Sequence, residues 1–222
     1  MSEEGLKDQE INENINFLIF KHLDYSDGLD LQRKVNLEQM EGKGNEAIII
    51  CEHNDVYTCG IHREQVPPGI TNLYMIERGG GITYHGPGQL IVYFLMDLGK
   101  RGINMLDLIK FVHECEIEYL KQHGIEGESR LKEETGIWVK NRKICSTGFS
   151  LKGGFTMHGV AINVNTDLKK FSIIKPCGLD SVIMTSISQI NEESYNTESE
   201  KRLFFDIIIK NLGIKEPHYS YQ

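Results

Sequence analysis

The chain has 222 residues and a mass of 25.3 kDa, with 40% hydrophobic and 25% charged residues, the make-up of one ordinary soluble domain with a full-sized core. A net charge of −8 argues against nucleic-acid binding, which rests on neutralising phosphates, and no apolar run approaches the roughly 20 residues of a membrane span. The five cysteines (51, 59, 115, 145 and 177) are odd in number and contain no CxxC pair, which argues against a disulfide framework or zinc site and for a reducing, cytoplasmic compartment.

Residues 1–14 (MSEEGLKDQEINEN) are acidic and lack the pattern of a signal peptide, so a disordered tail is expected there, ahead of a single domain over 15–222. Asn16 to His22 reads as a short strand. Asp27 to Met40 carries Leu29, Leu31, Val35, Leu37 and Met40 at nearly helical spacing. Ala47–Cys51, Leu73–Ile76 and Leu90–Leu98 read as buried strands. Asn104 is placed to cap a helix through about His123, with Leu106, Ile109, Val112, Ile117 and Leu120 facing inward and Gly124 as its stop. From Gly136 the texture turns to strands: IWVK and KICSTGFSL flank a polar Asn141-Arg142 turn, and Gly153-Gly154 precedes FTMHGVAINVN. Thr197 to Glu200 has capping-box spacing before a last helix that Gly213 closes. Helices and strands mix without strict βαβ alternation, which predicts an α+β fold, a single domain with a mixed β-sheet packed by helices.

Three segments carry candidate chemistry. Glu77 to Gln89 (ERGGGITYHGPGQ) lies between two predicted strands and holds five glycines, which let backbone N–H groups approach an anion, a carbonyl oxygen or an acyl chain. It is neither a Walker A loop nor a GxGxxG turn entering a helix. His85 within it reads either as a proton shuttle or as a histidine bonded to the loop backbone, and His158 on its strand is open in the same way. Lys175-Pro176-Cys177-Gly178 presents an uncrowded thiol with basic residues upstream, which suits a nucleophile, whereas Cys51 and Cys115 read as buried small hydrophobes. Lys143 sits at a strand edge, where the plain reading is a solvated hairpin lysine; a thiol partner would give it a role in lowering that thiol's pKa. Between Arg130 and Lys175 there are nine basic residues against Glu133, Glu134 and Asp167, so this stretch carries +6 and the remainder −14. It reads as a docking face for an acidic macromolecule, or as a solvated loop face.

Together RGGGITYHGPGQ (78–89), KICSTG (143–148), HGVAINVN (158–165) and KPCG (175–178) resemble, in order, the motifs of the lipoate biosynthesis protein B family of octanoyl-[acyl-carrier-protein]:protein octanoyltransferases. The resemblance implies a biotin/lipoate ligase-like domain. It implies Cys177 as the nucleophile of an acyl-thioester intermediate and Lys143 as the group that depresses its pKa. It implies an acyl site lined by Arg78, Gly79, Gly80, Gly81, Ile82, Thr83, Tyr84 and His85, by Ser146, Thr147 and Gly148, and by Gly159, Val160 and Ala161. Thr147 stands where the family more usually has an aliphatic residue, a change at the acyl pocket, and Gly81 fills a variable position. The implied reaction moves octanoyl (or lipoyl) from acyl carrier protein to the target lysine of lipoyl domains of 2-oxoacid dehydrogenases and of the glycine cleavage H protein, the first step of endogenous protein lipoylation. No cofactor is expected, because the thioester drives amide formation without ATP; nor is a membrane or nucleic-acid partner, and the chain is expected to be a monomer. Competing readings are an ATP-dependent lipoate or biotin ligase, a transferase between two lipoyl-type proteins, and a non-catalytic acyl- or lipoyl-domain-binding module.

Overall fold

The computed structural model describes residues 15–62, 65–132, 134–174 and 184–222. The acidic tail over 1–14 and the segment with Cys177 and Lys175 lie outside them. In chain order the elements are β1 (Ile15–Ile19), α1 (Tyr25–Met40), β2 (Glu46–Cys51), β3 (Val56–Cys59), β4 (Leu73–Met75), β5 (Ile82–His85), β6 (Gln89–Leu95), α2 (Leu98–Arg101) and α3 (Met105–Gln122). There follow β7 (Glu128–Arg130), β8 (Gly136–Val139), β9 (Arg142–Lys152), β10 (Phe155–Asn163), a 3-10 turn (Leu168–Ile173), α4 (Ile187–Asn191), α5 (Thr197–Leu212) and β11 (His218–Tyr221). Eight strands form one mixed sheet in the order β11-β1-β2-β6-β10-β9-β8-β7, and β4, β3 and β5 form a small second one. The α+β architecture expected from the sequence is therefore present.

β2 and β6 read as unbroken apolar runs because both faces of the large sheet are covered. Ile48, Ile50, Val92 and Phe94 enter the core under α3 and α5, while Ala47, Ile49, Ile91 and Tyr93 face the other side, against Leu31 and Val35 of α1. Asn104 caps α3 with a full capping box to Asp107. Leu106, expected inside, is 46% exposed because the buried face runs through Leu108, Phe111, Val112, Cys115 and Tyr119 instead. At α5 the cap is Asn196, one residue ahead of Thr197, accepting from the amides of Glu198 and Ser199. Glu200 does not complete a capping box, since its carboxylate accepts the Tyr119 hydroxyl in the core at 2.5 Å.

The helix α1 departs furthest from its apolar pattern. Leu37 and Met40 are exposed, and the buried face is Tyr25, Gly28, Leu29, Gln32, Asn36 and Gln39. Three amides on one stripe are buried because the strands beneath them have backbone groups to satisfy. Gln39 Nε2 donates to the Leu95 carbonyl at 2.8 Å, Asn36 Nδ2 to the Thr156 carbonyl at 3.3 Å, and Gln32 Oε1 accepts the His158 amide at 3.0 Å. The need arises at His158, whose φ of +65° breaks β10 away from the β6 ladder that begins at Gly159.

Candidate functional site

A cavity of about 500 Å³ lies among the glycine segment, β5, β6, β9 and β10. Arg78 to Thr83, His85, Ser146 to Gly148, and Gly159 to Ala161 all line it, as does Lys143. Tyr84 does not. Its side chain points to the other face of the small sheet, packs on Phe171 and donates to Asp55 at 2.6 Å. The expected loop from Glu77 to Gln89 is also not a single loop: its middle is β5, paired antiparallel with β3. The short β3 (VYTC) gave too little sequence to announce that pairing.

Arg78 organises the glycine segment. Its guanidinium donates to the carbonyls of Thr58, Gly79 and Gly81 and to the Thr58 hydroxyl, each at 2.8 Å. From the other side the amides of Gly60, Ile61 and His62 donate to the carbonyls of Gly81, Arg78 and Gly80 at 3.0–3.1 Å. Gly80 has a φ of +84°, which the reversal demands and which a side chain would strain.

His85 is fixed between side chains, and not by the loop backbone. Gln89 Nε2 donates to Asn163 Oδ1 at 2.9 Å, so Gln89 Oε1 is left to accept from His85 Nδ1–H at 2.8 Å. His85 Nε2 then offers its lone pair to the Thr58 hydroxyl at 3.5 Å, and the ring stacks parallel to Tyr25. Burial, with the Arg78 charge beside it, holds its pKa down to about 3. The chain of bonds continues from Asn163 Nδ2 to the Thr185 carbonyl at 3.0 Å. Thr147 has its hydroxyl 2.9 Å from His113 Nε2, and His113 Nδ1 lies 2.7 Å from the Ser129 hydroxyl.

Lys143 is not a solvated hairpin residue. It is 6% exposed, with its Nζ 5.8 Å from the centre of the Trp138 ring. Its carbonyl accepts the Thr185 amide at 2.9 Å, and it bridges to Met184, a cavity-lining residue in the same hydrophobic cluster as Ile174. Of the two described ends of the segment that holds Cys177, Met184 lies on this wall and Ile174 packs in the same cluster. The other four cysteines are buried, and burial raises the thiol pKa of Cys51, Cys115 and Cys145, so none of those three offers a ready thiolate.

The basic stretch is not one patch. Arg130 stacks on Trp138 at 4.3 Å, Lys170 pairs with Asp55, and Lys143 is buried. Arg142 and Lys152 sit at opposite ends of β9, about 33 Å apart at the usual rise per residue.

Three buried histidines and the half-buried, cavity-lining His85 set an acid limit on stability. Burial holds the pKa of His85 to about 3 and of His53, His113 and His158 to about 4, against 6.5 for an ordinary histidine. Between those values the unfolded chain binds protons that the folded chain does not, so folding weakens as pH falls from 6.5 toward 4. Buried Glu116, whose pKa burial raises, works in the opposite direction above 4.5 but is one group against four. Urea unfolding at pH 7.0, 6.0 and 5.0 should show stability falling by at least about 1 kcal/mol per pH unit below 6.5. A flat profile would contradict the neutral, buried state of these rings.

Against known proteins, the model of the lipoyl protein ligase A/B catalytic domain matches residues 24–208. The chain is 43% identical over 201 residues to a probable octanoyltransferase 2 of Picrophilus torridus, covering 90% of this chain and 80% of that one. It is 32% identical over 185 residues to an octanoyltransferase of Corynebacterium diphtheriae, covering 80% and 74%. In structure it resembles a lipoate-protein ligase A bound with ATP, with a TM-score of 0.70 over 93% of this chain and 87% of that one at 15% identity. At that identity the likeness speaks for the fold, which is the ligase-like one expected from the sequence.

Proposed function

Since the chain belongs to the lipoyl protein ligase A/B catalytic domain family, and its curated relatives are octanoyltransferases, we propose that it is an acyltransferase of protein lipoylation that carries octanoyl through a Cys177 thioester. The observation that carries the reading is Lys143, a buried cation on the wall of a largely carbon-lined cavity, joined through Thr185 to the segment that contains Cys177. A lysine on that wall lowers the pKa of a thiol brought beside it by favouring the thiolate.

In the proposed cycle Lys143 favours the Cys177 thiolate, which attacks the carbonyl carbon of octanoyl-acyl carrier protein. The bond to the carrier sulfur breaks, and the carrier thiolate takes up the proton that Cys177 gave up. The acceptor is the ε-amine of a lipoyl-domain lysine, deprotonated, which attacks the enzyme thioester. The new C–N bond replaces the C–S bond, the amine proton is released, and the Cys177 thiolate returns. The amide is more stable than the thioester, so no ATP is consumed. Arg78 holds the glycine segment in one shape, so its backbone dipoles meet the carbonyl without reorganising. Acyl carrier protein and the lipoyl domains of 2-oxoacid dehydrogenases and of the glycine cleavage H protein are the proposed partners, in the cytoplasm.

Intact-protein mass spectrometry tests the reading on wild type and Cys177→Ser mixed with octanoyl-acyl carrier protein without ATP. The wild type should gain one octanoyl group that hydroxylamine removes, and the variant should form no thioester. Product that appears only with ATP, with no adduct on rapid quench, would assign the chain to the ligases.

A further inference from the structure

We propose that His158 reads the far end of the acyl chain, exchanging a hydrogen bond with a sulfur or oxygen atom carried on its last carbons. This specificity role rests on the acyl-transfer reading above.

His158 is 3% exposed and lines the cavity, yet its buried Nε2 has no hydrogen-bond partner among the described residues. Buried polar atoms are rarely left so, and the exceptions call for a ligand or a functional cause. The backbone supports the same view. A φ of +65° is costly for a residue with a Cβ, and it is held by the Gln32 side chain taking the His158 amide. Gln32 is itself a buried polar residue in the middle of the α1 interface.

The register places the ring at the right distance. Lys143 Cε lies 2.8 Å from where a methyl on Gly136 would sit, and Gly136 pairs with Ser146. His158 pairs with Phe149. Three residues along the strands, about 10 Å, and two strand spacings across them, about 10 Å, separate Gly136 from His158, so their backbones lie roughly 14 Å apart. An extended eight-carbon acyl group spans about 9 Å by ordinary carbon–carbon bond lengths. With the thioester carbonyl at Lys143, the last carbons end about 5 Å short of the His158 backbone, a gap the length of its side chain, after passing Gly148 and Gly159, which offer no side chain in the way. A plain hydrocarbon end dehydrates Nε2 and gives it nothing. A thiol, disulfide or hydroxyl there supplies the missing partner, and a lipoyl group belongs to that class. Burial, then the Arg78 charge, keeps the ring neutral, so it has one donor and one acceptor nitrogen to offer.

The test compares carrier thioesters of octanoyl, lipoyl and 8-hydroxyoctanoyl by kcat/KM for transfer to a lipoyl domain. Wild type should use 8-hydroxyoctanoyl at least as well as octanoyl, although an apolar pocket would reject the hydroxyl. His158→Phe should lower the ratio of 8-hydroxyoctanoyl and lipoyl to octanoyl about tenfold, chiefly through KM. His158→Asn, which tolerates the left-handed backbone and keeps a donor and an acceptor, should recover part of that ratio. A wild type that disfavours 8-hydroxyoctanoyl tenfold overturns the inference without any variant. So does an equal loss for all three donors in His158→Phe. Transfer of no acyl group by wild type would overturn the acyl-transfer reading itself.

Discussion

Lys143→Met should lower octanoyl transfer by about 10²- to 10⁴-fold while leaving a folded protein, the range expected when a positioned proton-transfer group is removed. Methionine keeps most of the lysine stem that packs beside Gly136 and Trp138 and deletes only the charge. A charge of opposite sign held nearby lowers a pKa by about 1–3 units, so its loss should move the thiol of Cys177 back toward 8.5. The single-turnover rate of enzyme acylation, followed against pH, should therefore have its inflection higher in the variant than in wild type. That shift separates an electrostatic role from mere packing, which would lower the rate equally at every pH. Activity within threefold of wild type would remove Lys143 from the mechanism.

Much of this site was legible before the fold was known, and the part that was not has a physical cause. Continuous apolar runs announce β2 and β6 because both faces of those strands are buried, and Asn104 announces α3 because a cap needs its side-chain oxygen. The cavity wall follows from glycines and a family resemblance. Tyr84 was misplaced because strand alternation sends it to the face opposite Ile82's neighbours Thr83 and His85 in the cavity, and β5 itself was hidden in a glycine-rich stretch. The buried stripe of Gln32, Asn36 and Gln39 reads as polar surface in sequence, since nothing local shows that a strand beneath it has broken its ladder. The one available signal was their spacing, four and then three residues, which places all three amides on one helix face. Lys143 looked solvated because hairpin ends usually are. Long-range contacts with Trp138 and the pairing with Met184 and Thr185 help to cover it.

Gly159→Ala should be strongly destabilising, and it isolates space from conformation. Gly159 sits in β10 between Tyr93 of β6 and Gly148 of β9, with no positive φ, so alanine adopts its backbone without strain. The added methyl would nevertheless lie 2.1 Å from the Val92 carbonyl oxygen, an atom of a central strand that cannot rotate aside. Either β10 separates from β6 or the sheet bends, and in both cases the ladder next to His158 and the cavity floor at Val160 and Ala161 moves. The expected cost is at least about 3 kcal/mol, the upper end for overpacking, or about 6–12 °C in Tm for a chain of this size. Gly42→Ala is the control with the opposite balance: its φ is +68° but nothing lies within 4 Å of the new methyl. It should cost only about 1 kcal/mol, the penalty of the left-handed conformation alone. Differential scanning calorimetry of the two variants decides the matter. A Gly159→Ala transition within 2 °C of wild type, or below that of Gly42→Ala by less than the scatter between runs, would mean that β10 and β6 can part at the cavity at little cost, and that the register used to place His158 relative to Lys143 is not rigid.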